Sequence, residues 1–228
     1  MTAILILTGA GISAESGLGT FRSRDGLWEK YDLTKVATPQ AFARDPQMVH
    51  DFYNLRRRAC LHATPNAAHV ALAQLQAEWP GEVRIATQNV DDLHERAGAR
   101  GVLHMHGELL RARCAACGHR WAAPEVMSTE DHCPRCDRPA VRPDVVWFGE
   151  MPYHMDEIEK GARTSDLLVV IGSSGQVYPA AGLAGTARRA GAKTIEINLE
   201  VTGGSFDKGF YGRASEKVAE WIASLVSG

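Results

Sequence analysis

Four of the chain's five cysteines stand as Cys114-x-x-Cys117 and, after 15 intervening residues, Cys133-x-x-Cys136, and no other feature narrows the possible folds as much. The stretch around them, Arg111 to Pro143, is rich in cysteine, proline, arginine and small residues and has too few large apolar side chains to form a core. Such a segment needs a metal to hold it together. Two C-x-x-C knuckles offer four thiolates to one tetrahedral ion, which is the spacing of zinc ribbons. Four thiolates leave no position for water, so the zinc is expected to be structural, with Gly118 and Pro134 suiting the knuckle turns. A redox dithiol, or a catalytic zinc using His119 or His132, is the competing reading. Arg111, Arg113, Arg120, Arg135, Arg138 and Arg142 make the ribbon basic; they either meet nucleic acid or solvate a small surface. Cys60, left over, reads as a small buried hydrophobe rather than a nucleophile.

The remainder alternates between two periodicities. Short apolar runs at Ala3 to Leu7, Val83 to Ala86, Leu167 to Ile171 and Thr194 to Ile197 read as buried parallel strands. Between them, Asn66 to Trp79 repeats Val70, Leu72, Leu75 and Trp79 at helical spacing, and Ser215 to Val226 does so with Val218, Ile222 and Leu225. This rhythm predicts an α/β fold, a Rossmann-like doubly wound parallel sheet, carrying the small zinc-ribbon module and a helical insertion over about 26–62, where Pro39 and Pro46 interrupt the pattern. The expected division is 1–110 with 144–228 for the sheet domain and 111–143 for the zinc module. Hydrophobic and charged fractions of 45% and 23% are ordinary for a globular chain. With 25 basic against 27 acidic residues the net charge is −2, so nucleic acid is not an expected partner. No run of about 18 apolar residues and no basic leader precede or follow, so a cytoplasmic protein without membrane contact is expected.

Directly after the first strand comes Gly9-Ala10-Gly11-Ile12-Ser13-Ala14, a G-x-G-x-x-A pattern. Such glycines allow a tight turn and close approach to a pyrophosphate, although six residues alone are equally a plain strand-to-helix turn. A dehydrogenase would place a second strand ending in an acid about 20 residues on. Residues 28–46 hold no such strand, which disfavours hydride transfer. The loop instead runs on through Glu15, Gly19, Thr20, Phe21 and Arg22, long enough to fold over a dinucleotide. An acid for the adenosine ribose is available late, where Glu196-Ile197-Asn198-Leu199-Glu200 closes a strand; a solvated Glu200 is the alternative.

After the second strand, Gln88-Asn89-Val90-Asp91-Asp92 gathers polar groups where ligands of parallel sheets bind. One of the two acids is expected to cap the next helix. Leu103-His104-Met105-His106-Gly107 then brings two imidazoles, either a proton acceptor or packed structural groups.

Together these segments resemble the sirtuin family, in order and across nearly the whole chain: Gly9-Ala10-Gly11-Ile12-Ser13, Gly19-Thr20-Phe21-Arg22, Thr87-Gln88-Asn89-Val90-Asp91, His106-Gly107, the four cysteines, Phe148-Gly149-Glu150 and Gly172-Ser173-Ser174. The third of the last triplet's usual residues, Gly-Thr-Ser, is kept, with Ser173 replacing threonine. The resemblance implies an enzyme, an NAD-dependent protein-lysine deacylase with NAD as co-substrate and structural zinc, acting on acylated-lysine proteins or peptides. It implies that Gly9, Ala10, Gly11, Ile12, Ala14, Glu15, Thr20, Phe21, Arg22 and Trp28 bind NAD. Gln88, Asn89 and Asp91 fall at the nicotinamide ribose, with Asn89 and the general base His106 catalytic. Gly172, Ser173, Ser174, Asn198, Glu200 and Ala214 complete the cofactor set. The acyl carbonyl oxygen then attacks C1′ of that ribose, nicotinamide leaves, and free lysine and O-acyl-ADP-ribose result. The substrate peptide adds as a strand between Val146-Trp147-Phe148-Gly149 and the segment after Ser174.

Tyr53 and Arg56, at i and i+3 in Phe52-Tyr53-Asn54-Leu55-Arg56-Arg57-Arg58, share one helix face. A guanidinium fork with a phenol suits a carboxylate. This segment, with Ala14, resembles the branch that prefers succinyl, malonyl or glutaryl lysine, while Arg57 and Arg58 read as a solvated face. Mono-ADP-ribosyl transfer and a non-catalytic NAD-sensing or nucleic-acid-binding module are the alternatives.

Overall fold

A computed structural model describes residues 2–19 and 32–226. Its centre is a six-stranded parallel sheet in the order β3-β2-β1-β7-β8-β9, formed by β1 (Ile4–Thr8), β2 (Val83–Thr87), β3 (Leu103–His104), β7 (Leu167–Ile171), β8 (Lys193–Asn198) and β9 (Lys208–Tyr211). Every residue of β1 and β7 is buried, because helices cover both faces of the sheet. Ile4 and Ile6 point to one side, where α4 (Ala67–Glu78) brings Leu72 and Leu75 and α8 (Ala214–Val226) brings Val218 and Trp221. Leu5 and Leu7 point to the other, against Ile158 and Ala162 of α6 (Met155–Thr164) and Leu183 and Ala187 of α7 (Leu183–Arg189). The doubly wound expectation holds.

Two strands exceed the four expected. β3 has only two residues, and β9, at the sheet edge, buries only Phe210, so neither presents an apolar run. The helical faces also differ in detail. Val70 is 41% exposed and the buried face of α4 instead includes His69, while Trp221, absent from the expected α8 stripe, is fully buried.

The described part of the insertion is three helices, α1 (Leu33–Val36), α2 (Pro39–Arg44) and α3 (Pro46–His62). Pro39 and Pro46 open α2 and α3 rather than break them, and the side chains of Thr38 and Asp45 cap those first turns. The short α5 (Leu93–Arg96) follows β2. A second, antiparallel sheet of β4 (Gly107–Cys114), β5 (Arg120–Ala122) and β6 (Val141–Val145) runs in the order β5-β4-β6 and carries the cysteines. Its own core is three buried residues, Ala112, Met127 and Val141. No helix among the described residues is long and apolar enough to cross a membrane.

Candidate active site

The strand order reverses between β1 and β7, the place where open parallel sheets bind ligands. There the two strand ends interlock through backbone alone. Gly9 N donates to Ile171 O at 2.9 Å and Gly11 N to Gly172 O at 2.8 Å. A methyl on Gly11 would stand 2.6 Å from Gly172 Cα, and Gly172 itself has φ +62°. The glycine pattern therefore does structural work, holding residues 9–11 against the Gly172-Ser173-Ser174 turn, beyond leaving room for a pyrophosphate. The segment Ala10–Ser16 winds as a tight 3-10 helix, with the Ile12 side chain in the core.

Ser13, which follows, is the hub of a buried polar network. Its hydroxyl donates to Asp91 Oδ2 at 3.1 Å and accepts from Asn89 Nδ2 at 3.0 Å. His69 Nδ1 accepts from Asn66 N, so the ring carries its proton on Nε2, 3.4 Å from the same oxygen. Below, Thr8 Oγ1 bridges His94 Nε2 at 2.9 Å and Thr87 Oγ1 at 2.8 Å, and Thr87 receives Asn89 N. Burial holds His69 down to about 4 and His94 to about 3, so both rings are neutral; it pushes the Asp91 carboxyl upward. Asp91 Oδ1 also accepts from Leu93 N, while Asp92, at the formal start of α5, makes no side-chain cap. Ser13, Asn89 and Asp91 are thus brought together; Gln88 reaches across to receive Ser173 Oγ at 3.1 Å.

His106 lies half-buried at the end of this polar row. Its Nδ1 faces Gln88 O at 3.0 Å, and a carbonyl can only accept, so the proton sits on Nδ1 and Nε2 is left with its lone pair. No described residue bonds that Nε2. Burial lowers the ring's pKa against the pull of the Gln88 bond. A neutral imidazole with an open acceptor is what a general base requires. His104 differs: with Nδ1 at Asn89 O and Nε2 2.8 Å from Glu95 Oε1, its pKa is raised despite burial, by the Glu95 carboxylate. It is a packed ion-pair partner.

The face of α3 toward the cleft carries Tyr53, 3% exposed, and Arg56, whose guanidinium lies 5.7 Å from the Tyr53 ring centre. Trp147 Nε1 donates to the Tyr53 hydroxyl at 3.0 Å. Trp147 is itself held by Glu150 Oε2, which accepts its backbone N at 2.8 Å, while both Glu150 oxygens grip Arg142. The arginines thought to be solvated include two that are not. Arg57 is 1% exposed and donates to Leu109 O and Asn54 Oδ1; Arg142 is 5% exposed and stacks 3.3 Å over the Trp147 ring. Arg113 and Arg120 are also engaged, with Tyr153 and Asp144. Beyond Trp147 the chain emerges at Phe148, 51% exposed, and Gly149. The N–H groups of Val146 and Phe148 are bound to His106 O and Ala37 O.

The four cysteine sulfurs all lie within 4.8 Å of one another. Cys114 and Cys136 are 3.7 Å apart, as are Cys117 and Cys133. A tetrahedral zinc with bonds of 2.3 Å separates its sulfurs by about 3.8 Å, so the cluster fits that ion. The two knuckles are alike: Gly118 N donates to Cys114 O and Asp137 N to Cys133 O, with φ of +72° and +57°. The left-handed residue of the second knuckle is Asp137. Cys60 is fully buried and burial pushes its thiol up to about 12, in keeping with a small buried hydrophobe.

The Sir2 family pattern matches residues 9–179. This chain belongs to the Sir2 family. It is 53% identical to an NAD-dependent protein deacylase of Caulobacter vibrioides, over 98% of this chain and 97% of that one. Among solved structures it is similar to a Sir2 homologue in complex with NAD, with TM-score 0.90 and 39% identity over 99% of this chain and 90% of the other. It is also similar to a Sir2 protein bound to an acetylated peptide, with TM-score 0.81 and 28% identity over 99% and 94% of the two chains.

In this Sir2 protein the far end of the expected cofactor cleft is built by β8 and α8. Asn198 Nδ2 donates to Ser173 O at 2.7 Å, tying the third strand end to the seam. Glu200 is exposed, whereas Glu196 is buried and receives the hydroxyls of Thr202 and Tyr211. Glu15, expected at the cofactor, turns both carboxylate oxygens to Ser215, at 3.0 and 2.6 Å, and so fastens the start of α8 beside Ala214. Ala14 is exposed next to it. Thr20, Phe21, Arg22 and Trp28 lie outside the described residues. Sequence reasoning passed over Ser13 as a site residue, and over His69, Trp147 and the Arg142–Glu150 pair. Ser13 had a signal, standing inside the glycine pattern, and Trp147 and Glu150 stood in quoted segments without a role of their own; His69 had none, since its partner Ser13 lies 56 residues away.

Proposed function

We propose that this Sir2 protein is an NAD-dependent protein-lysine deacylase that favours acyl chains ending in a carboxylate. The observation that carries the activity is His106, whose Nδ1–H is committed to Gln88 O and whose Nε2 has no partner among the described residues, beside the Ser13, Asn89 and Asp91 network. Bound NAD supplies an electrophilic ribose carbon with nicotinamide as the leaving group. Around it, the glycine seam leaves the backbone bare for the diphosphate. Asn89 and Asp91 orient the ribose from a rigid buried base, and His106 Nε2 accepts the proton released from the sugar hydroxyls. Asn198 and Ala214 flank the adenosine end. Products are free lysine, nicotinamide and O-acyl-ADP-ribose. Phe148 and Gly149 line the peptide path.

The acyl preference rests on Tyr53 and Arg56, a phenol and a guanidinium on one face of α3. The zinc is structural in this reading, and the module of about 111–143 serves the sheet domain formed by the rest of the chain. One experiment tests the whole: turnover of a single peptide bearing acetyl-, succinyl- or malonyl-lysine, with and without NAD, its products read by mass spectrometry. Absence of O-acyl-ADP-ribose with every peptide overturns deacylation, and ADP-ribosylated protein in its place marks transfer. Arg56→Met should raise KM for succinyl-lysine about tenfold and leave the KM for acetyl-lysine nearly in place, a charged hydrogen bond being lost only with the acid. Equal effects remove the acyl claim.

A further inference from the structure

The Tyr53 phenol is buried, and the disposition of its single proton follows from its neighbours. An indole N–H can only donate, so the 3.0 Å contact from Trp147 Nε1 makes the Tyr53 oxygen an acceptor. The Arg56 guanidinium, also a donor only, stands beside the phenol, 5.7 Å from its ring centre. With the indole donor aimed at its lone pair, the hydroxyl must point its hydrogen away from Trp147. No described residue accepts that hydrogen. Burial raises the Tyr53 pKa, so the proton stays on. A buried O–H donor without an acceptor is costly to leave unmet, and a carboxylate presented by a ligand would satisfy it.

The indole that sets this orientation is itself immobilised. Arg142 stacks 3.3 Å over its ring, and Glu150 holds Arg142 at 2.7 and 2.9 Å while accepting the Trp147 backbone N–H at 2.8 Å. All three aromatic and basic groups of the stack are nearly inaccessible: Tyr53, Trp147 and Arg142 are 3%, 2% and 5% exposed.

From this geometry we infer that Trp147 is a positioning residue for acyl selectivity: its indole N–H fixes the Tyr53 hydroxyl as a donor to a carboxylate-ended acyl chain. The inference rests on the acyl reading above. It assigns to Trp147, and behind it to Arg142 and Glu150, a part that the Tyr53 and Arg56 pair alone does not contain. Without the indole donor the phenol is free to rotate its hydrogen toward other acceptors, and the carboxylate meets a lone pair in a share of molecules.

The test is a double-substitution cycle scored on the ratio of kcat/KM for succinyl-lysine to that for acetyl-lysine, measured on the same preparation so that any loss of folded protein cancels. Trp147→Phe keeps an aromatic ring and removes the N–H. It should lower the ratio about fivefold, through KM, and Tyr53→Phe should lower it about tenfold. In the Tyr53→Phe background, adding Trp147→Phe should change the ratio no further, because the hydroxyl through which the indole acts is gone. An unchanged ratio in Trp147→Phe, or the same fivefold drop with and without the Tyr53 hydroxyl, overturns the inference. Arg56→Met separates this from the parent reading. If it lowers the ratio while Trp147→Phe does not, only the role of Trp147 falls; if neither lowers it, the acidic acyl pocket falls with it.

Discussion

His104 and His106 hang by Nδ1 from consecutive carbonyl oxygens, those of Asn89 at 3.2 Å and Gln88 at 3.0 Å, yet their other nitrogens meet opposite surroundings. Glu95 takes the first; no described residue takes the second. His106→Ala should therefore cut nicotinamide release by a factor of about 10² to 10⁴ with little change in melting temperature. His104→Gln should do the reverse, lowering stability while turnover survives. Since burial lowers the His106 pKa, the rise of kcat/KM with pH should have its midpoint below 6.5 and stay level above it. A midpoint at or above 7 removes His106 as the titrating base.

Ser13 satisfies three groups at once, Asn89, Asp91 and His69. Ser13→Ala strands all of them in a buried site, at a cost of about 1–3 kcal/mol. KM for NAD should rise in parallel, because Asn89 and Asp91 lose their common anchor. Calorimetric binding of NAD beside thermal unfolding reads both effects; intact affinity in a destabilised variant would leave Ser13 a folding residue only.

The buried histidines impose a pH dependence on stability. His69 and His94 titrate at about 4 and about 3 in the folded chain but near 6.5 when unfolded. Between those values the unfolded state binds the extra protons, so stability is fully present above about 6.5 and declines as pH falls. Each contributes a slope approaching about 1.4 kcal/mol per pH unit. His104 acts in the other sense: raised by Glu95, its stabilisation is complete below 6.5 and is lost as pH rises through its folded value. Denaturation midpoints from pH 7.5 to 4 should fall most steeply below 6. His69→Gln should flatten that acid limb, and an equally steep limb in the variant contradicts the assignment.

Along α3, Asn54 pairs with both the N–H and the carbonyl of Met127, and Arg57 donates to Glu125 O. The cysteine module is thereby strapped to the helix that carries Tyr53 and Arg56. Chelation should remove one zinc per chain, lower the melting temperature and raise KM for acyl-peptide. Arg57→Ala should destabilise by about 3 kcal/mol with metal content unchanged. If chelation leaves KM untouched, the strap does not reach the cleft.

The sheet and the cysteine cluster were legible because their signals are local: β1 and β7 are unbroken apolar runs, and the C-x-x-C pairs declare their geometry by spacing alone. Gly9, Asn89 and His106 were legible for a related reason, standing where a strand hands over to a loop. Arg57 and Arg142 were misread because a charge run says nothing of what packs over it. Their partners, Leu109, Met127, Glu150 and the Trp147 ring, belong to other elements. Glu15 and Ser215 are likewise 200 residues apart, and β9 stays silent because an edge strand needs few apolar side chains.

The interlock of Gly9, Gly11 and Gly172 has a mechanical meaning. Peptide planes in direct contact have no rotamers to adjust, so the spacing of the two half-sheets at their join is a gauge block set by backbone van der Waals contact and N–H···O bonds. Side chains around it can be exchanged without widening the gap, and whatever they come to hold, they hold at the same separation.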